Sequence, residues 1–135
     1  MKLVKWMGLA LLVSFSALVQ SAPAGNANAA ADQVARLDSI VRLSEAQEKE
    51  IEALLVESEQ ATTKLSREIQ SMKIELGQEI GPDFNERAIR KQSAKLGKLS
   101  GELTAETALL QAKIQNVLTE DQRAILLKRA RQVQQ

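Results

Sequence analysis

Beyond residue 32 the apolar positions of this chain recur at intervals of three and four, and no stretch alternates with the two-residue period of a strand. Val34, Leu37, Ile40 and Val41 define a short first helix over 32–41. Ile51, Leu55, Ser58, Thr62, Leu65, Ile69, Met72 and Leu76 trace a long second helix with coiled-coil steps, weakened in its middle by Ser58 and Thr62. The stretch from Gly77 to Asp83, with Gly81 and Pro82, is expected to stop that helix and turn the chain. A third helix from Phe84 to about Asn116 turns Ile89, Leu96, Leu99, Leu103, Leu110, Ile114 and Val117 inward. Asp83 and Glu86 form its acceptor-x-x-Glu start. Gly97 and Gly101 interrupt it, either admitting a close neighbour or bending it. A final helix carries Ala124, Ile125 and Leu127, followed by Lys128, Arg129 and Arg131.

The pattern predicts an all-α fold: a long antiparallel helical hairpin with short flanking helices. Each arm would be on the order of 50 Å long at 1.5 Å per residue. One narrow apolar stripe per long helix cannot make a thick core, so the chain is expected to pair as a homodimer, which removes more apolar surface from water.

Two of the helix starts share one pattern. Leu43-Ser44-Glu45-Ala46-Gln47 and Leu118-Thr119-Glu120-Asp121-Gln122 both place Gln three residues after a hydroxyl residue, the spacing of a capping box. Ser44 or Thr119 can accept from the amide three residues on, while Gln47 or Gln122 reaches back to the N-cap amide. Leu43 and Leu118 are expected to act as hydrophobic staples. Glu45, Glu120 and Asp121 suit the positive end of the helix dipole.

The first residues change the picture of where the protein works. Lys2 and Lys5, an apolar run from Trp6 to Val19 and the small residues Ala22-Pro23-Ala24 read as a secretory signal over 1–24, cleaved after Ala24. The apolar run is shorter than the roughly 20 residues of a membrane span. Residues 25–31 read as a flexible spacer and 32–135 as one helical domain.

Composition then excludes several classes. The net charge of +1 includes Lys2 and Lys5, so the processed chain would carry about −1, which gives no case for nucleic-acid binding. There is no Cys and no His, and neither a glycine-rich phosphate loop nor metal-ligand spacing. With no such base or nucleophile and no deep pocket expected in a thin helical hairpin, the chain reads as non-enzymatic, with no cofactor.

The two boxes, the leader, the long middle hairpin, the stretch Pro82-Asp83-Phe84-Asn85-Glu86 and the stretch from Val117 to Arg123 resemble the LTxxQ-motif family of periplasmic proteins. That family includes Spy- and CpxP-type stress proteins and, more distantly, ZraP- and CnrX-type heavy-metal proteins. The first box has Ser44 where the family motif has Thr, a mild departure because both residues cap. The resemblance implies a cradle-like homodimer in the periplasm that binds unfolded or partly folded clients without ATP, using apolar and basic residues. It also implies alternatives: a regulator docking on a membrane sensor's periplasmic domain, or a metal-responsive protein. A structural helical adaptor is the remaining class. Against the metal branch stand the missing His and Cys, with Met72 the only methionine beyond the leader. Glu48, Glu52, Glu57 and Glu59 read as a solvated acidic face.

Charge supplies the candidate binding surface. Arg87, Arg90, Lys91, Lys95 and Lys98 gather in the first half of the third helix, with Arg67 and Lys73 on the facing end of the second. Glu45, Glu48, Glu50, Glu52, Glu57 and Glu59 crowd the second helix's start, towards the other end of an antiparallel hairpin. The seven cations are the candidate client-binding residues, able to draw in acidic unfolded segments. Their plain alternative is solubility with ordinary pairs such as Glu86 with Arg90.

Overall fold

The computed structural model describes residues 28–133, which form four helices and, among the described residues, no strand: α1 Asn28–Val41, α2 Glu45–Gln78, α3 Glu86–Val117 and α4 Glu120–Val133. The expected signal, its cleavage after Ala24 and residues 25–27 of the expected spacer lie outside the described residues. No helix among the described residues is long and apolar enough to cross a membrane.

The all-helical expectation holds, and the differences lie at the helix ends. α1 begins at Asn28, four residues ahead of the expected start, so the second half of the expected spacer is helical. Ala29, Ala30 and Ala31 are strong helix formers, and Ala30 is buried, which ties that first turn into the fold. α2 passes through Gly77 and ends at Gln78, where Glu79 and Ile80 donate to the carbonyls of Leu76 and Gly77 in tightened three-residue closures. The helix thus stops within the expected stretch, although neither Gly77 nor Gly81 adopts left-handed φ. The left-handed residue is Arg42, with φ 56°, just past α1. Its N–H donates to the Asp38 carbonyl at 2.8 Å, and the Asp38 carboxylate accepts from the Leu43 N–H at 2.7 Å. This is an αL helix end built without glycine.

α3 starts two residues later than expected, and its cap is Asn85 rather than Asp83. The Asn85 side chain accepts from the Ala88 N–H at 3.1 Å, and its carbonyl accepts from the Ile89 N–H. Position N3 is then Ala88, so this third start caps in one direction only and no box closes.

The chain divides into two compact units. The first combines 28–53 with 113–133: α1, the start of α2, the end of α3, and α4. α1 packs against α4. Ala30, Val34, Leu37, Val41, Ile51, Ile114 and Leu118 form its buried core. Leu, Val and Ile side chains each contribute about 1.5–3 kcal/mol when fully buried. The second unit, Leu54–Ala112, holds most of α2 and α3 with the connection between them. Its buried residues are Leu55, Ser58, Ile69 and Met72 from α2 and Leu99 from α3, all on the seams read from the sequence. Thr62, Leu65, Leu76, Ile89, Leu96, Leu103 and Leu110 on those seams are half-buried. At the polar positions of the α2 seam, buried Ser58 has its carbonyl bonded by the Thr62 hydroxyl at 2.8 Å.

Candidate functional site

Both capping boxes close as the sequence reading expects. The Ser44 hydroxyl accepts from the Gln47 N–H at 3.2 Å, and Gln47 Oε1 accepts from the Ser44 N–H at 3.0 Å. In the second box the matching bonds are 3.3 Å from the Gln122 N–H to Thr119 and 2.9 Å from the Thr119 N–H to Gln122 Oε1. Local chemistry alone accounts for these four bonds.

What the sequence reading missed is that the two boxes meet. Gln47 Nε2 donates to Gln122 Oε1 at 2.8 Å, and Gln122 Nε2 donates back to Gln47 Oε1 at 3.1 Å, a reciprocal amide pair. The second proton of each amide caps a helix end of the opposite box. Gln47 Nε2 reaches the Val117 carbonyl at the end of α3 at 2.9 Å. Gln122 Nε2 reaches the Arg42 carbonyl just past α1, also at 2.9 Å. Each glutamine thus caps the start of its own helix with its oxygen and the end of another helix with its nitrogen, filling every donor and acceptor position of the amide. That is why Gln122 can be buried at 8% exposure at little cost. The signal was present in the choice of Gln in both boxes, since a carboxylate at that position closes a capping box equally well.

The flanking residues divide the remaining work unequally. Leu118 is buried at 2% exposure and Leu43 half-buried, but the positions they would staple are Glu48 and Arg123, not apolar residues. The staple expectation is therefore corrected: Leu118 is a core residue of the first unit. Arg123 turns its guanidinium onto the carbonyls of Gln115, at 2.9 Å, and Leu118, placing positive charge at the C-terminal end of α3. Asp38 serves the first box instead, through Leu43.

The seven cations of the candidate client surface all lie in the second unit and are all exposed. Arg90 pairs with Glu86 at 2.7 Å, as expected, and Lys98 with Glu102 at 3.9 Å. Among the described residues these are the ion pairs present, so Arg67, Lys73, Arg87, Lys91 and Lys95 have no carboxylate within pairing distance. By helical spacing Arg87, Arg90, Lys91 and Lys98 project from the face of α3 opposite Ile89, Leu96 and Leu99, with Lys95 nearer its edge. Among the described residues no three His, Cys, Asp or Glu side chains converge in a way that could hold a metal ion. Comparison with protein-family models, curated protein sequences and solved structures finds no match for this chain.

Proposed function

We propose that this protein is a periplasmic, ATP-independent chaperone of the LTxxQ type, which binds unfolded or partly folded proteins on the exposed cations of its second unit. The observation that carries the reading is that Arg67, Lys73, Arg87, Lys91 and Lys95 are exposed and free of carboxylate partners among the described residues. Charges held in solvent without internal partners act at long range, over about 10 Å at 0.1 M salt, and speed encounter with acidic segments without fixing their sequence. The family assignment rests on the paired boxes, the leader and the all-helical chain. A second part of the proposal is architectural: the two long helices form an antiparallel hairpin, and two copies pair into a cradle-like dimer. Support for pairing comes from the narrowness of the seams, whose residues are in large part only half-buried. In this reading binding needs no cofactor and no bond is made or broken in the client.

The test is retention of an acidic, permanently unfolded polypeptide such as reduced, carboxymethylated α-lactalbumin, measured without ATP across a salt series. Reversing Arg87, Lys91 and Lys95 to Glu should slow capture and flatten its salt dependence, with helicity unchanged because exposed charges add little to stability. Changing Glu48, Glu52 and Glu59 to Lys should leave capture intact or improve it. Equal loss in both variants, or no retention by the unaltered protein, refutes the reading.

A further inference from the structure

The last helix exposes more apolar side chain than its place in the fold requires. α4 turns Gln122, Leu126 and Ala130 inward, a row at four-residue spacing that is buried or half-buried. Ile125, Leu127 and Val133 lie outside that row at 45%, 36% and 78% exposure, so the core of the first unit gains little from them. Charge is divided along α4 as well. Its two carboxylates, Glu120 and Asp121, stand in the first turn, and from Gln122 to Val133 there is none. Arg123 is taken up by the carbonyls of Gln115 and Leu118. Lys128, Arg129 and Arg131 are exposed and have no carboxylate within pairing distance among the described residues.

Helical spacing sorts these residues onto two sides. Ile125, Lys128, Arg129 and Val133 stand at i, i+3, i+4 and i+8 and share one side, while Leu127 and Arg131 lie on the other. On the first side a cation separates two apolar side chains of one row, and a second cation stands beside them. A soluble polyanion would satisfy the cations and leave Ile125 and Val133 in water, and a purely apolar partner would strand Arg129 between them. The interface of an anionic bilayer accepts both kinds of side chain, the apolar ones at the acyl boundary and the cationic heads at the phosphates. We infer that this side of α4 is a peripheral docking face for a bilayer rich in anionic phospholipid. Ile125 and Val133 enter the interface, and Lys128 and Arg129 meet lipid phosphates. α4 is not long and apolar enough to cross a membrane, so the helix lies on the surface, and attachment through so few side chains is weak and reversible. The inference goes beyond the chaperone reading and does not rest on it, since the cations proposed there belong to the second unit and these to the first.

Vesicle sedimentation tests this with the protein recovered after secretion, every variant sharing one N-terminus. The unaltered protein should sediment with vesicles of phosphatidylglycerol and phosphatidylcholine in equal parts, less as salt rises, and should stay in solution with phosphatidylcholine alone. Lys128→Gln and Arg129→Gln should each weaken the association about fivefold, the share of one cation near an anionic surface. Ile125→Ser should weaken it by about the same factor, and Leu127→Ser, on the other side, should leave it unchanged. Helicity and thermal midpoint are read in parallel. The two charge variants alter exposed side chains only, so they keep the fold and decide the outcome if Ile125→Ser is destabilised. Equal sedimentation with both kinds of vesicle, or unchanged sedimentation of the folded charge variants, overturns the inference. Full association of a folded Ile125→Ser protein reduces the face to a patch for any polyanion and also overturns it, as does a loss in Leu127→Ser equal to that in Ile125→Ser. Retention of the unfolded polypeptide should not change in these variants, and its loss with vesicle association intact assigns the face to a protein client and refutes the bilayer.

Discussion

Gln47 and Gln122 each accept two hydrogen bonds and donate two, and that arrangement distinguishes glutamine from glutamate where a capping box alone does not. In Gln122→Glu one oxygen can still accept from Thr119 and Gln47, but the other faces the Arg42 carbonyl and Gln47 Oε1, two acceptors. The expected cost is about 2–4 kcal/mol at neutral pH. The introduced carboxyl would be pushed above its ordinary range, so the penalty should be smallest below about pH 4.3, where the unfolded chain is also protonated, and should grow as pH rises through the folded-state value. Urea unfolding at pH 4 and pH 7 measures it; an equal cost at both would mean that the second oxygen finds a donor. Ser44→Ala and Thr119→Ala, which remove the hydroxyl but keep the amide pair, should each cost about 0.5–2 kcal/mol, with client retention reduced only as far as the fold is weakened. Arg42 offers a gain instead. It is exposed and held at φ 56°, so Arg42→Gly should raise stability by about 0.5–1 kcal/mol, visible as a higher urea midpoint.

At the scale of the element, the interruptions in α3 admit a direct trial. A Cβ added at Gly97 or Gly101 meets nothing within 4 Å, and neither residue has left-handed φ. No close neighbour within the chain explains them. Gly97→Ala and Gly101→Ala should therefore each stabilise by about 0.5–1 kcal/mol in thermal or urea melts, the ordinary helix-interior difference. The sequence reading located these helices well because a seam of three- and four-residue steps is a local signal repeated many times along α2 and α3. Ends were less legible, since each is decided by one or two bonds. Asp83 and Asn85 are both good caps by type, and only the backbone path through Pro82 and Phe84 selects Asn85.

For the whole molecule, the proposed pairing predicts that sedimentation equilibrium returns twice the chain mass at micromolar concentration. Pairing would remove further apolar surface from water where the seams are only half-buried, as at Leu65, Leu96 and Leu103. If the pair forms there, Leu103→Ser should weaken the dimer, with helicity read in parallel to separate loss of pairing from loss of fold. A dimer indifferent to that change uses another surface.

The sequence by itself determined the all-helical class, the order of four helices, the two seams and the four bonds of the capping boxes, because periodicity and caps act among residues a few places apart. It also marked the cations now found exposed on the second unit. Tertiary structure decided that Gln47 and Gln122, 75 residues apart, close on one another. It also left Ile80 and Phe84 in solvent, placed Leu118 in the core and gave the left-handed turn to Arg42. The glutamine pair and the burial of Leu118 depend on which distant helix ends are brought together, and no local periodicity encodes that.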